Sequence, residues 1–143
     1  MFNDCMNNVL VPSEYLSIDE TLYAMCHQIN FRQYNPNKPE KYGLLYKSLN
    51  DARFPFTYQV VPYCGKPVDG DGPYYLNATE DYVKCLVQAL PMINMKGRNI
   101  SIDRLYTSIS TANWLLERDV TTVRTLVTNR VGLPDEVRYK IQE

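Results

Sequence analysis

Two short apolar runs, each ending in an acidic residue, constrain this chain more than any other feature. Residues 17–20 read Ser-Ile-Asp-Glu, and residues 99–103 read Asn-Ile-Ser-Ile-Asp. A carboxylate at the end of a buried strand is costly to desolvate unless a partner group is present. Two such acids on separate strands, Asp19 and Asp103, are the minimum set that holds a divalent cation between them. The pattern therefore predicts metal-dependent phosphoryl chemistry.

The composition indicates one domain without a general affinity for polyanions. The chain has 143 residues, enough for a single domain with a real core. Its formal net charge is -1, so any surface that binds nucleic acid must be a local patch. Twelve tyrosines favour strands and amphipathic, interface-like surfaces. No apolar segment approaches the roughly 18 residues of a membrane span, and we expect no membrane association.

The cysteine pattern indicates reduced thiols. Four cysteines are widely spaced and form no Cys-x-x-Cys pair: Cys5, Cys26, Cys64 and Cys85. The polar opening at residues 1–4 has neither the basic head nor the apolar run of a signal peptide. We therefore expect a cytoplasmic or nuclear protein without a zinc site.

The hydrophobic pattern predicts five strands in one domain. These strands are expected at residues 15–19, 42–49, 57–63, 100–103 and 121–128. A rigid turn with two prolines is predicted at 35–39, and a surface loop at 66–73. The domain is predicted to span 14–134. The segment 1–13 before it reads as truncated, and 135–143 as a charged tail.

Helical periodicity appears twice. Asn77 is the predicted N-cap of the first helix, Glu80 follows three residues later as in a capping box, and Pro91 ends the helix. Its apolar face is predicted to be core and comprises Tyr82, Val83, Leu86, Val87 and Leu90. The second helix is predicted to begin near Ser108 or Ser110. Its expected core residues are Ala112, Trp114, Leu115 and Leu116.

The resulting order, β-β-β-α-β-α-β, predicts an α/β fold with a mixed five-stranded sheet and helices packed on it. The first three strands form an antiparallel meander, and the helical crossovers make the last two strands parallel to a neighbour. This is the ribonuclease-H-like plan, which we expect to be incomplete at the C-terminus. In that plan the first and fourth strands are adjacent, so Asp19 and Asp103 would face each other. Fold alone does not establish function.

Several longer motifs extend beyond the two acids. They are the Ser-Ile-Asp-Glu run, residues 31–43 with Pro-Asn-Lys-Pro and Lys-Tyr-Gly, the run 99–103 with Thr107 and Ser108, and residues 126–134. Together they resemble the piggyBac family of DDE transposases, in order, from Tyr15 to Pro134. The Pro-Asn-Lys-Pro block followed by Lys-Tyr-Gly is specific, whereas Asp-Glu alone is not.

The resemblance implies a ribonuclease-H-like domain whose acidic residues bind two magnesium ions. In the family these ions activate water, and later a 3′-hydroxyl, for strand cleavage and transfer at TTAA sites through hairpin ends. By this resemblance Asp19 is the first catalytic and metal-binding acid, and Asp103 is the second. DNA is the implied partner, the parent protein is a possible homodimer, and the implied location is the nucleus.

The chain also departs from the family pattern. The family's third catalytic acid lies beyond the region where this sequence stops, and none of Asp119, Asp135 and Glu136 stands in the matching context. The family's N-terminal DNA-binding parts and C-terminal cysteine-rich module have no counterpart here. We therefore expect a transposase-derived domain that is catalytically incomplete by itself.

Two further departures lie next to the acids. Residues 25–28, Met-Cys-His-Gln, stand where the family shows a basic Phe-Arg-Gly-Arg-like run, which removes two guanidinium groups suited to phosphates. Arg104 and Leu105 replace the Asn and the aromatic residue that usually follow the second acid. Arg104 would compete with a metal for Asp103.

The residues leave alternatives open at each position. Asp19 and Asp103 are metal ligands, or strand-end acids that backbone amides satisfy, and Glu20 is a supporting partner. A basic run with Tyr34 and Tyr42 interleaved either follows a DNA backbone or forms a solvated hairpin face; its members are Arg32, Lys38, Lys41 and Lys47. The chain is correspondingly an active nuclease or transposase domain once completed by other segments, or a domesticated module that binds DNA or protein without catalysis.

Overall fold

The computed structural model describes residues 2–7, 9–65, 76, 78–103, 106 and 108–124. In these residues the elements follow in the order α1 (Phe2–Met6), β1 (Tyr15–Ala24), β2 (Gln33–Tyr34), β3 (Tyr42–Asp51), β4 (Thr57–Pro62), α2 (Thr79–Gln88), α3 (Met92–Met95), β5 (Asn99–Ile102), α4 (Ile109–Leu116) and β6 (Thr121–Arg124). No helix in this described part is long and apolar enough to cross a membrane.

The strands form one mixed sheet with β1 at its centre. β1 pairs with β3 in antiparallel orientation and with β5 in parallel orientation, and β6 continues the sheet in parallel beside β5. β2 and β4 both pair with β3. The predicted adjacency of the first and fourth strands, here β1 and β5, is therefore confirmed. The predicted strand count is wrong, because the two-residue β2 makes the sheet six-stranded.

β1 is longer than the apolar pattern predicted. It continues past Asp19 to Ala24, because β3 provides a pairing partner for every residue from Leu16 to Ala24. Asp19 consequently lies within a strand and not at its end. The ladder closes at Gly43, where a Cβ atom would overlap the Tyr23 carbonyl group, so that close approach of the two backbones requires glycine.

The core lies on one face of this sheet, beneath α2. The predicted apolar face of α2 is confirmed as buried, and Leu16 and Ile18 of β1 together with Ile100 and Ile102 of β5 belong to the same cluster. Burial of each such aliphatic side chain contributes about 1.5–3 kcal/mol relative to exposure. Because side chains alternate along a strand, the residues between these positions point to the opposite face.

α2 begins one residue later than its predicted capping pair implies. The Ala78 N–H donates to the Asp81 carboxylate at 3.1 Å, whereas the predicted cap Asn77 lies outside the described residues. Glu80 instead accepts a hydrogen bond from the Ser110 hydroxyl at 2.7 Å, which ties α2 to α4. The carboxylate of the capping box therefore belongs to Asp81 and not to Glu80, which the sequence indicated.

The predicted start of α4 is confirmed, but one of its predicted core residues is wrong. The Ser108 hydroxyl accepts the Thr111 N–H at 3.0 Å as an N-cap. Leu115 is buried, whereas Leu116 is 63% exposed, because one residue rotates the helix surface by about 100°. Ala112 is half-buried. Trp114 is also half-buried and packs against the core, with the Arg118 guanidinium 4.0 Å from its ring centroid.

The N-terminal residues of the chain pack onto β4. The Asn3 side chain of α1 donates to the Val60 carbonyl at 3.0 Å and accepts the Val60 N–H at 3.1 Å. This pair satisfies backbone groups of a strand that the described elements leave at the sheet edge. The predicted loop 66–73, the continuation of the last strand beyond Arg124 and the tail 135–143 lie outside the described residues.

Candidate metal centre

The two predicted catalytic acids lie at the same end of the parallel ladder between β1 and β5. The register pairs Ile18 of β1 with Ile102 of β5, and Asp19 and Asp103 are the next residue on each chain segment. Both acids line one cleft of about 480 Å³ together with Ser17, Ser101 and Val123. The cleft lies on the face opposite the core, because Leu16, Ile18, Ile100 and Ile102 are buried beneath the helices.

Both acids are exposed at this cleft. One Asp19 oxygen, Oδ1, accepts the N–H of the adjacent Glu20 at 2.7 Å, which is the backbone contact that the alternative interpretation of these acids expects. A carboxylate offers about four lone-pair positions, so one such bond does not exhaust its capacity. The bond orients Asp19 and leaves it able to bind a cation from the solvent side.

The donor chemistry of the cleft fits a hard cation. Magnesium binds through one or two carboxylates and retains water in its remaining positions. No group of three or more His, Cys, Asp and Glu side chains that could hold a metal occurs among the residues that the structure describes. Asp19 and Asp103 are the two carboxylates among the described residues that line this cleft. Arg104, the predicted competitor for Asp103, lies outside the described residues.

A polar cluster lies directly behind the acids, on the core side of the sheet. Glu20 is the register partner of Lys47 on β3, and the Tyr106 hydroxyl donates to Glu20 Oε2 at 3.3 Å. Lys47 Nζ lies 4.3 Å from the ring centroid of Tyr82, 4.4 Å from that of Tyr106 and 5.7 Å from that of Tyr63. Three aromatic rings therefore lie close to a buried ammonium group, and the charge of Glu20 acts on it from the neighbouring strand.

Burial governs the ionisation of this cluster. It lowers the pKa of Lys47, and the Glu20 charge offsets only part of that effect. Burial also raises the pKa of Tyr106, and the nearby charges of Glu20, Asp19 and Asp103 raise it further. Tyr106 therefore stays a neutral phenol that donates a hydrogen bond to Glu20.

The position of Lys47 corrects the predicted basic surface run. Lys47 is 5% exposed, so it cannot belong to either a DNA-facing or a solvated hairpin face. It shares its face of β3 with buried Leu49, and that alternation was the available sequence signal. The tyrosines that enclose Lys47 come from separate parts of the chain, and sequence reasoning missed the cluster and the role of Tyr106.

The other members of the run remain near the surface. Lys41 is exposed, while Arg32 and Lys38 are partly exposed. The Arg32 guanidinium lies 4.8 Å from the Tyr42 ring centroid, and the Tyr34 and Tyr42 centroids are 4.8 Å apart. Both tyrosine side chains are about half exposed. Arg32, Lys41 and Tyr42 also line a second cleft, of about 290 Å³.

The mixed sheet, with one acid on β1 and a second directly after the adjacent parallel strand β5, agrees with the class that the sequence comparison gives, a DDE transposase domain. The family model described as Transposase IS4 matches residues 1–143, and the chain belongs to that family. No curated protein matches the chain significantly.

A solved structure narrows the type of transposase. The chain is similar to one in the cryo-EM structure of a piggyBac transposase synaptic complex with hairpin DNA, with 31% identity and a TM-score of 0.75. The match covers 92% of this chain and 27% of that chain. The predicted piggyBac type and the ribonuclease-H-like α/β fold class are thereby confirmed.

Proposed function

We propose that Asp19 and Asp103 supply two ligands of a magnesium site for DNA strand cleavage and transfer, and that this chain is catalytically incomplete by itself. The observation that carries the proposal is their adjacency on β1 and β5, at one solvent-open cleft. Two-metal phosphoryl chemistry uses carboxylates that bridge or flank the ions, and two carboxylates fall short of the three that the resemblance implies.

The residues of the cleft have separate tasks in this proposal. Asp19, oriented by the Glu20 N–H, and Asp103, at the end of β5, hold the cation in place. A bound magnesium ion supplies Lewis-acid stabilisation of the phosphoryl oxygens. The hydroxyl side chains of Ser17 and Ser101 line the same cleft and keep it polar, so water and a phosphate group can enter.

DNA is the partner that we propose for this chain. The similar transposase is described in complex with hairpin DNA. In this chain the surface with cationic and stacking groups comprises Arg32, Lys38, Lys41, Tyr34 and Tyr42, which suits a phosphate backbone and exposed bases. Hairpin transposon ends, TTAA targets, a homodimeric parent protein and a nuclear location are parts of the same proposal.

A nicking assay on hairpin DNA with magnesium or manganese tests the catalytic half of the proposal. We expect the full chain to cleave no faster than the Asp19→Asn variant, because two acids do not complete the site. Cleavage that depends on Asp19 would overturn the incompleteness and would support the active transposase domain. The substrate should be offered both as a hairpin and as an open transposon end, since the two reactions use different nucleophiles.

Manganese titration tests the metal half, independently of cleavage. We expect Asp103→Asn to weaken manganese binding by about tenfold or more, because it removes one of two charged ligands. Asp119→Asn is the matched control: Asp119 is an exposed acid that pairs with Lys96 at 3.1 Å. Equal affinity in wild type and Asp103→Asn would sink the metal proposal.

Salt-dependent DNA binding tests the partner. Lys41→Ala and Arg32→Ala should each weaken binding and reduce the slope of log K against log salt by about 0.9 per lost phosphate contact. Lys96→Ala, which removes an exposed lysine elsewhere, should leave the slope unchanged. DNA binding without any manganese binding would favour the domesticated, non-catalytic module.

A further inference from the structure

The acid pair lies just beyond the end of a hydrogen-bonded ladder. The register between β1 and β5 runs from Tyr15 and Asn99 to Ile18 and Ile102, one residue short of Asp19 and Asp103. The hydrogen bonds of a parallel ladder fix the separation of the residues that it pairs. They do not fix the separation of residues beyond the last pair. The backbone of Asp19 is still held by its pairing with Ser48 of β3, whereas no ladder among the described residues reaches Asp103, so another contact must fix the second acid relative to the first.

Such a contact exists on the core side of the sheet. Glu20 directly follows Asp19, and its Oε2 accepts the Tyr106 hydroxyl at 3.3 Å. The Tyr106 backbone N–H donates to the Asp103 carbonyl at 3.0 Å. One side-chain bond and one backbone bond thus connect the segment of the first acid with that of the second. We name Glu20, Tyr106 and Lys47 the clasp.

Lys47 completes the clasp from the neighbouring strand. It is the cross-strand partner of Glu20 and is buried with its ammonium group among the rings of Tyr63, Tyr82 and Tyr106. A buried cation requires a compensating charge, and Glu20 is the carboxylate whose charge acts on Lys47. The rings restrict where Nζ can lie, so the Lys47 charge draws the Glu20 carboxylate toward Tyr106.

We propose that the clasp is a positioning device that sets the spacing of the Asp19 and Asp103 carboxylates. Its members are absent from the lining of the acid cleft, so they act through the two acids. The metal-binding consequence rests on the proposed function, whereas the ordering of the strand ends does not. Two measurements on the full chain therefore separate the two claims.

Tyr106→Phe removes one hydroxyl group and no charge. The matched control is Tyr58→Phe, since the Tyr58 hydroxyl donates to the Asp51 carboxylate at 2.8 Å and Tyr58 does not line the acid cleft. Each variant loses a hydrogen bond to an acid, buried at Tyr58 and partly buried at Tyr106, so both should melt at a lower temperature. A general loss of stability therefore affects both variants. An effect that occurs only in Tyr106→Phe shows the specific contribution of the clasp.

Amide hydrogen exchange without metal is the first measurement. We expect the N–H of residue 106 in Tyr106→Phe to exchange on the order of tenfold faster, relative to the slowest core amides of the same variant. In Tyr58→Phe the same ratio should stay at its wild-type value. Equal ratios in both variants would overturn the clasp, whether or not the chain binds a metal.

Manganese affinity is the second measurement. In Lys47→Met, the direction of the change in affinity distinguishes a positioning role from a purely electrostatic one. Removing a positive charge near the site should tighten cation binding if Lys47 acts only through its charge. The clasp predicts the opposite: several-fold weaker binding in Lys47→Met and in Tyr106→Phe, with Tyr58→Phe unchanged. Tighter binding in Lys47→Met would refute the positioning role.

The combined outcomes distinguish the two proposals. Faster exchange in Tyr106→Phe together with no manganese binding by wild type would uphold the clasp and reject the proposed metal site. Manganese binding by wild type that neither clasp variant changes, with unchanged exchange, would uphold the site and reject the clasp. If Lys47→Met does not fold, the uncharged Tyr106→Phe change decides the result by both measurements.

Discussion

Asp51 and Asp19 are carboxylates on adjacent strands of one sheet, yet their surroundings differ completely. Asp51 is 7% exposed and accepts five hydrogen bonds: from the Ser13 N–H and hydroxyl, the Arg53 N–H, the Phe54 N–H and the Tyr58 hydroxyl. Asp19 is exposed and accepts the neighbouring Glu20 N–H at a cleft. Hydrogen-bond donors of the protein occupy the lone pairs of Asp51. Asp19 has lone pairs that can still bind an external ligand.

The difference shows how a structural carboxylate is recognised. Burial by itself would raise the pKa of Asp51, but the hydrogen bonds from Ser13, Tyr58 and Arg53 outweigh it and lower that pKa. The ionised form is thus built into the fold. An acid with this many protein donors holds the chain together, whereas an acid at an open cleft with a second acid beside it suits a cation.

The largest expected effect is the loss of stability on substitution of Asp51, the acid that accepts five hydrogen bonds. Asp51→Asn replaces an acceptor oxygen with a donor amide and leaves buried donors without acceptors, so it should lower the free energy of unfolding by about 3 kcal/mol. Asp19→Asn should change the same quantity by no more than about 0.5 kcal/mol. Urea unfolding followed by circular dichroism measures both, and similar losses in the two variants would break the comparison.

Low pH should reduce the stability advantage of the wild type over Asp51→Asn. Because the folded-state pKa of Asp51 lies below its unfolded value near 4, its contribution is complete above about pH 4 and disappears as the pH falls toward the lower folded value. The stability difference between wild type and Asp51→Asn should therefore shrink as the pH falls below about 4, and paired unfolding curves between about pH 5 and pH 2 measure it. A constant difference across that range would show that the Asp51 charge is not what stabilises the fold.

Metal should stabilise the chain through the open acid. At ten times its dissociation constant, manganese should add about 1.4 kcal/mol to the free energy of unfolding of the wild type. Asp19→Asn should show no such gain at the same concentration, and EDTA should reverse the wild-type gain. Thermal melts with and without manganese measure this. An equal shift in both proteins would place the bound ion elsewhere.

The smallest expected effect belongs to a third kind of carboxylate. Asp119 pairs with Lys96 at the surface, where both side chains are well exposed and where such pairs contribute about 0.2–1 kcal/mol or less. Asp119 also has a φ of 58°, a conformation that asparagine tolerates. Asp119→Asn should thus change the unfolding free energy by about 0.5 kcal/mol at most. A larger loss would show that an exposed pair can rival the Asp51 network.

Local patterns anticipated most of the elements. Alternation predicted β3, β4 and β5, and helical spacing predicted the buried face of α2, because these signals depend on which side of a segment meets the core. β2 was missed, since two residues carry no periodicity. Leu116 was placed in the core because a run of adjacent apolar residues does not reveal which of them faces inward.

The candidate site was predicted in part for the same reason. Asp19 and Asp103 were found because an acid after an apolar run is a local signal, and their adjacency followed from the strand order. Lys47 was misassigned because its nearest charges in sequence indicated a surface run. Its true environment comes from Glu20, Tyr82 and Tyr106, which lie on other elements.

The sequence by itself determined the class of the chain: the two acids, the strand and helix order, and the motifs that identify a piggyBac-type transposase domain. Only the tertiary structure decided which charged residues serve the cleft and which serve the core. The physical reason is that hydrogen bonds, burial and ring contacts depend on neighbours from distant segments, and local sequence carries no record of them. Asp19, Asp51 and Lys47 all occupy β-strands, and only their tertiary surroundings distinguish the exposed acid at the cleft from the two buried groups.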